Sequence, residues 1–153
     1  MRCLIVAVLL FAVAGCGGDG GATEEVSPPS VNSTGTWVGF IPGVYQANGL
    51  ETPSTSVTIV FAQSGASISG KYYTSTGALG DIAGTISGST VDVAITLTKQ
   101  SCSGLLTGTG AINKPANGNS TMDFHVSGFS TCGGNESDIA YLRQISVPAL
   151  SNP

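Results

Sequence analysis

From Gly35 onward, apolar and polar residues alternate with a period of two, in short blocks separated by turn residues. The clearest block is 90–98, where Val91, Val93, Ile95 and Leu97 oppose Asp92, Ala94, Thr96 and Thr98. Successive side chains of an extended chain point to opposite faces, so each such block predicts a half-buried strand. The first is Gly35–Ile41, which contains Trp37. Residues 56–63 follow, with Val57, Ile59 and Phe61 on one face, then Ser67–Thr74 with Ile68 and Tyr72. Leu79–Ser87 groups Ile82, Gly84 and Ile86, and 104–113 groups Leu106, Gly108, Gly110 and Ile112. Thr121–Ser130 sets Met122, Phe124 and Val126 against Asp123, His125 and Ser127, and 137–145 is the eighth block. No block carries a 3.6-residue apolar stripe, so the pattern predicts no substantial helix in this region. Strands of this length, spaced by turn signals every ten or so positions, predict an all-β meander. Eight of them in sequence can close into an antiparallel up-and-down barrel, which leaves no exposed edge; a β-sandwich is the alternative.

Loop lengths orient such a barrel. In a meander, alternate loops lie at the same end. Residues 42–55, 75–78, 99–103 and 131–136 gather at one end, and the tight turns 64–66 and 88–89 at the other, with 114–120. The long-loop end is therefore expected to be the mouth. Tyr72, Val57 and Leu97 should face inward near it, and Tyr45 sits in its first long loop. These four residues form either a small apolar pocket with tyrosine handles or the filling of the core, because eight-stranded barrels are just wide enough for side chains to fill.

The first 34 residues follow another pattern. Arg2 precedes a wholly apolar run over 4–13, too short to span a bilayer, and the run ends at Val13-Ala14-Gly15-Cys16. This stretch resembles the lipobox of bacterial lipoprotein precursors. The resemblance implies a signal peptide over 1–15, cleavage before Cys16 and a lipid on the Cys16 sulfur. It implies a protein attached to the membrane of a bacterial cell envelope without crossing it. Gly17, rather than Asp, follows the cysteine, which in Gram-negative lipoproteins points to the outer membrane. Residues 17–34, rich in Gly, Ser and Thr, predict a flexible linker with a mean span of about 20–25 Å. The domain is then 35–146, with a tail over 147–153.

An exported, oxidising compartment bears on the cysteines. With Cys3 lost in the signal and Cys16 lipidated, Cys102 and Cys132 remain, and a disulfide between them is expected. Both fall in loops at the long-loop end. A metal pair is the alternative, but the one histidine, His125, stands at no ligand spacing from either cysteine.

Charge narrows the partners. The chain has nine acidic and five basic residues, and loss of Arg2 leaves a net charge of about −5. Nucleic acid and anionic lipid both favour a basic face, so neither is expected as a partner. No cofactor is implied.

Few motifs suggest catalysis. Residues 65–71 match most of a phosphate-binding loop, but Tyr72 stands where Ser or Thr should bind magnesium, and the stretch leads into a strand rather than a helix. Asp123, His125 and Ser127 share one strand face, which turns to solvent if Met122 and Phe124 point inward. No cluster of paired carboxylates suits glycoside chemistry. We expect no enzyme and no catalytic or metal site.

Gly35-Thr36-Trp37 in the first strand, with Arg143 in the last, resembles the calycin pattern of lipocalins and their relatives; the Gly-Thr-Trp start is also similar to avidin-like barrels. The resemblance implies an eight-stranded barrel in which Trp37 and Arg143 pack together at the closed end. It also implies a binding module for a small apolar or amphipathic ligand at the mouth. The alternative is an interaction or protease-inhibitor-like module with a filled core, whose loops contact an envelope protein.

Overall fold

A computed structural model describes residues 27–44, 49, 51–99, 102–131 and 134–146. Among them, eight strands close into one antiparallel barrel in sequence order. They are β1 (Gly35–Ile41), β2 (Thr55–Ser64), β3 (Ser67–Thr74), β4 (Leu79–Ser87), β5 (Thr90–Lys99), β6 (Cys102–Asn113), β7 (Thr121–Ser130) and β8 (Gly134–Ser146). The described residues contain no helix. Closure comes from β1 pairing with β8, which a sandwich would not require.

The period of two decides which residues are inside. Val57, Ile59 and Phe61 of β2 are buried, as are Val91, Val93, Ile95 and Leu97 of β5 and Met122, Phe124 and Val126 of β7. Asp92, Thr96, Asp123 and His125 alternate with them and lie exposed. Apolar in and polar out is the reverse of the arrangement in membrane-spanning barrels. Trp37, Phe61 and Phe124 are the largest fully buried side chains, and they fill the barrel interior with Ile59, Ile86, Ile95 and Met122.

Two glycines permit this packing. At Gly39, where β1 meets β8, a Cβ would lie 1.8 Å from the Tyr141 carbonyl oxygen, so any side chain would force the closing seam apart. At Gly108 a Cβ would lie 2.2 Å from Cζ of Phe124, whose ring occupies the space that the missing side chain leaves.

Several boundaries differ from the sequence expectation. Residues 27–34 are not a free linker. Ser30 N–H donates to Gly88 O at 2.8 Å and Gly88 N–H to Ser27 O at 3.2 Å, which ties this segment across the β4–β5 turn. Cys102 is not in a loop: it opens β6 at an inward position opposite Lys99. The last two connections at the mouth shrink to 100–101 and 131–133, because β5 and β6 lengthen towards each other and β8 starts at Gly134. One long loop, between Ile41 and Thr55, therefore remains at that end.

Candidate functional site

The two ends of the barrel are built from different residues. At the closed end the chain enters through Ser33, which is fully buried. Its N–H and hydroxyl both donate to Gln63 Oε1, at 2.7 and 2.9 Å, and its carbonyl accepts the Trp37 indole N–H at 2.8 Å. Gln144 Nε2 donates to Thr34 O at 2.9 Å, and Thr34 Oγ1 accepts from Gln63 N–H at 3.1 Å. Val31 packs against the core from this side. Among the described residues no buried side-chain polar atom is left without a partner, so this end is a satisfied plug.

Trp37 lies at the closed end as expected, but its expected pairing with Arg143 does not form. The residue opposite Trp37 is Gln144, and Arg143 pairs with Val38. Ala140, Leu142 and Gln144 supply the inner face of β8, so by alternation Arg143 points outward and is exposed. A register irregularity between Thr36 and Trp37 accompanies this arrangement. Gln144 takes the inner place because it can donate to the plug while 7% exposed, whereas a guanidinium there would be buried without a carboxylate among these plug residues.

At the other end a cavity of about 660 Å³ opens between the strand ends and the β1–β2 loop. Its apolar lining includes Ile41, Ala78, Leu97 and Leu106, and its polar lining includes Tyr72, Thr74, Glu136 and Asp138. The four residues named from the sequence separate. Tyr72 and Leu97 line the cavity; Val57 is 1% exposed within the core and does not line it; Tyr45 lies outside the described residues. The barrel is thus filled through its lower and middle layers and open above them.

Tyr72 is 2% exposed, yet its hydroxyl makes no hydrogen bond among the described residues. Burial pushes its pKa well above the ordinary 10.0, and the carboxylates of Glu136 and Asp138 push it the same way. Near neutral pH it is therefore a neutral phenol, able to donate and to accept.

Glu136 and Asp138 were missed in the sequence. They pair with Gly128 and Val126, and they continue the inward register of Ala140, Leu142 and Gln144. Extending the alternation back from Leu142 would have found them. Glu136 accepts a hydrogen bond from the Ser130 hydroxyl, and Ser130 is itself 1% exposed.

Cys102 also lines the cavity and is 4% exposed. Cys132 lies outside the described residues, as does Cys16. The chain just before Cys132 is fixed beside Cys102: Thr131 N–H donates to Ser103 O at 2.8 Å, and Ser103 N–H donates to Thr131 Oγ1 at 3.0 Å. On the outer wall Asp123, His125 and Ser127 are exposed, and no group of three or more metal-ligating side chains forms among the described residues.

No protein-family model matches the chain, and searches of curated proteins and of solved structures return no match. The class is therefore defined by the architecture: an eight-stranded antiparallel barrel, plugged at one end and open at the other.

Proposed function

We propose that this protein is a lipid-anchored binding module of the bacterial cell envelope that holds a small apolar or amphipathic ligand in the cavity at its mouth. The observation that carries this reading is the cavity itself. Its size falls within the range of small-molecule sites, its floor is apolar, and the Tyr72 hydroxyl, which makes no hydrogen bond among the described residues, offers one directional contact. We assign the protein no catalytic role.

The entry point of the chain supports the anchoring geometry. Ser27 and Ser30 are bound at the closed end, so a lipid on Cys16 would hold the barrel by its plug and leave the mouth directed away from the membrane. The ligand would then arrive from the aqueous side. Cys16→Ser should release the protein from the membrane fraction, and retention after a carbonate wash would sink the anchor. The Cys102–Cys132 bond belongs to the same reading. It is supported by the fixed approach of Thr131 to Ser103 and by the fact that Cys102 is not a free thiol.

The test is native mass spectrometry of protein purified from its host envelope, with a bound small molecule expected. Ala78→Trp, which fills the cavity from its wall, should abolish that adduct. An adduct that persists in the variant would place the ligand elsewhere.

One observation favours the second reading, an interaction module. Leu105 and Phe129 face each other across β6 and β7 on the outer wall at 59% and 55% exposure. Exposed apolar pairs of this kind suit contact with another protein. Co-purification of an envelope protein that Leu105→Ser and Phe129→Ser together abolish would favour it.

A further inference from the structure

The cavity wall is chemically one-sided. Its apolar residues come from β1, β5 and β6, from the β1–β2 loop and from the β3–β4 turn, whereas its two ionisable acids, Glu136 and Asp138, both come from the start of β8. Among the described side chains no lysine or arginine lines the cavity. Lys71 is on the outer wall, paired with Asp81, and Arg143 is near the closed end. The nearest basic position in the register is Lys99, opposite Cys102. Neither Glu136 nor Asp138 makes an ion pair among the described residues.

Inward-facing acids at a cavity rim are unfavourable unless something compensates them. Glu136 is half-buried and receives one neutral donor, the Ser130 hydroxyl. Two carboxylates on the same face of one strand, two residues apart, also repel each other. A cation placed between them relieves both costs. Tyr72 is the independent indication that a ligand belongs there. The side chain is 2% exposed, its hydroxyl makes no hydrogen bond among the described residues and it lines the cavity, so an N–H group seated near the acids could donate to its oxygen.

We infer that the ligand is a cationic amphiphile: a small molecule whose apolar body rests on Leu97, Leu106 and Ile41 and whose ammonium or amidinium head meets Glu136, Asp138 and the Tyr72 hydroxyl. This inference rests on the reading of the cavity as a binding site and specifies its ligand class. The apolar floor supplies affinity common to any chain of the right size. The acids supply the choice of head group, since charge complementarity governs selectivity more than total affinity. An anionic amphiphile of the same length would meet like charge at the rim.

Three probes with one apolar body separate the two levels: octylammonium, octanol and octanoate, titrated calorimetrically into the purified full-length protein at pH 7 and low salt. Octylammonium should bind about five- to tenfold more tightly than octanol, and octanoate more weakly than either. Raising the salt should erode the ammonium preference and leave octanol unchanged. Glu136→Gln with Asp138→Asn should equalise ammonium and alcohol while octanol binding persists, with thermal unfolding confirming that the variant is folded. Equal binding of all three probes by the natural protein, or preference for octanoate, overturns the cationic assignment and leaves the cavity standing. Binding of none of them overturns the cavity as a binding site.

Discussion

The closed end and the mouth use the same eight strands and the same inward register, yet they treat polar groups in opposite ways. At the closed end, Ser33, Gln63 and Gln144 are drawn inside and are fully hydrogen-bonded, together with the Trp37 indole. At the mouth, the Tyr72 hydroxyl lines the cavity without a hydrogen bond among the described residues, and Glu136 and Asp138 stand inward without a counter-charge among them. A satisfied polar network fixes one arrangement and contributes stability; an unsatisfied one costs stability and is kept for contact with something else. The comparison divides the molecule into an end that holds the fold and an end that is open to a ligand. Substitutions should therefore separate as well, with stability falling at one end and binding at the other.

The largest effect should come from Trp37→Ala. It removes a fully buried indole and strands the Ser33 carbonyl, and large-to-small changes of this kind cost about 3–5 kcal/mol. Urea unfolding would measure it. A loss under about 1 kcal/mol would mean that the plug does not hold the fold.

Next comes the disulfide proposed between Cys102 and Cys132. Replacing Cys102 and Cys132 with serine should lower stability by about 3–4 kcal/mol in the chain-entropy treatment of a loop of this length. The same loss should appear in the natural protein under reducing conditions. Identical unfolding midpoints with and without reductant would remove the disulfide from the account.

Gln144→Leu tests the closed end more finely. It keeps the side-chain bulk but leaves the Thr34 carbonyl without its donor, at a cost of about 1–3 kcal/mol. Probe binding at the mouth should not change. If the stability is unaffected but binding falls, the two ends are coupled and the division fails.

These differences also show what the sequence could reveal. Strand positions were legible because their signal is local: Gly35–Ile41, Ser67–Thr74, Leu79–Ser87 and Thr121–Ser130 each follow from apolar alternation between turn residues. The barrel interior followed from the same parity. The polar interior did not. Ser33 donates to Gln63 and Gln144 donates to Thr34, partners that lie far apart along the chain, and no local pattern records those pairings. Residues 27–34 have the composition of a linker, and they become a plug through the open amide and carbonyl of Gly88. The family resemblance points to Arg143, whereas the parity of Leu142 places Gln144 inside. Glu136 and Asp138 reach the cavity only through closure of the barrel, which brings the start of β8 to the mouth.

The smallest effect at neutral pH, and the sharpest test of the division, is Tyr72→Phe. The hydroxyl makes no hydrogen bond among the described residues, so its removal should change stability little at pH 7 or raise it slightly. Its influence should emerge in alkali. The folded-state pKa is raised above the ordinary 10.0, chiefly by burial and further by Glu136 and Asp138. As pH climbs past about 10 the unfolded chain releases this proton while the folded chain keeps it, so the stabilisation present below that pH is progressively lost. The slope for one proton is about 1.4 kcal/mol per pH unit. Urea midpoints of the natural protein should fall between pH 9.5 and 11.5, and Tyr72→Phe should fall less steeply by up to that amount. Parallel slopes would mean that the phenol titrates alike in the folded and unfolded chain, and Tyr72 would then not set the mouth apart from the plugged end.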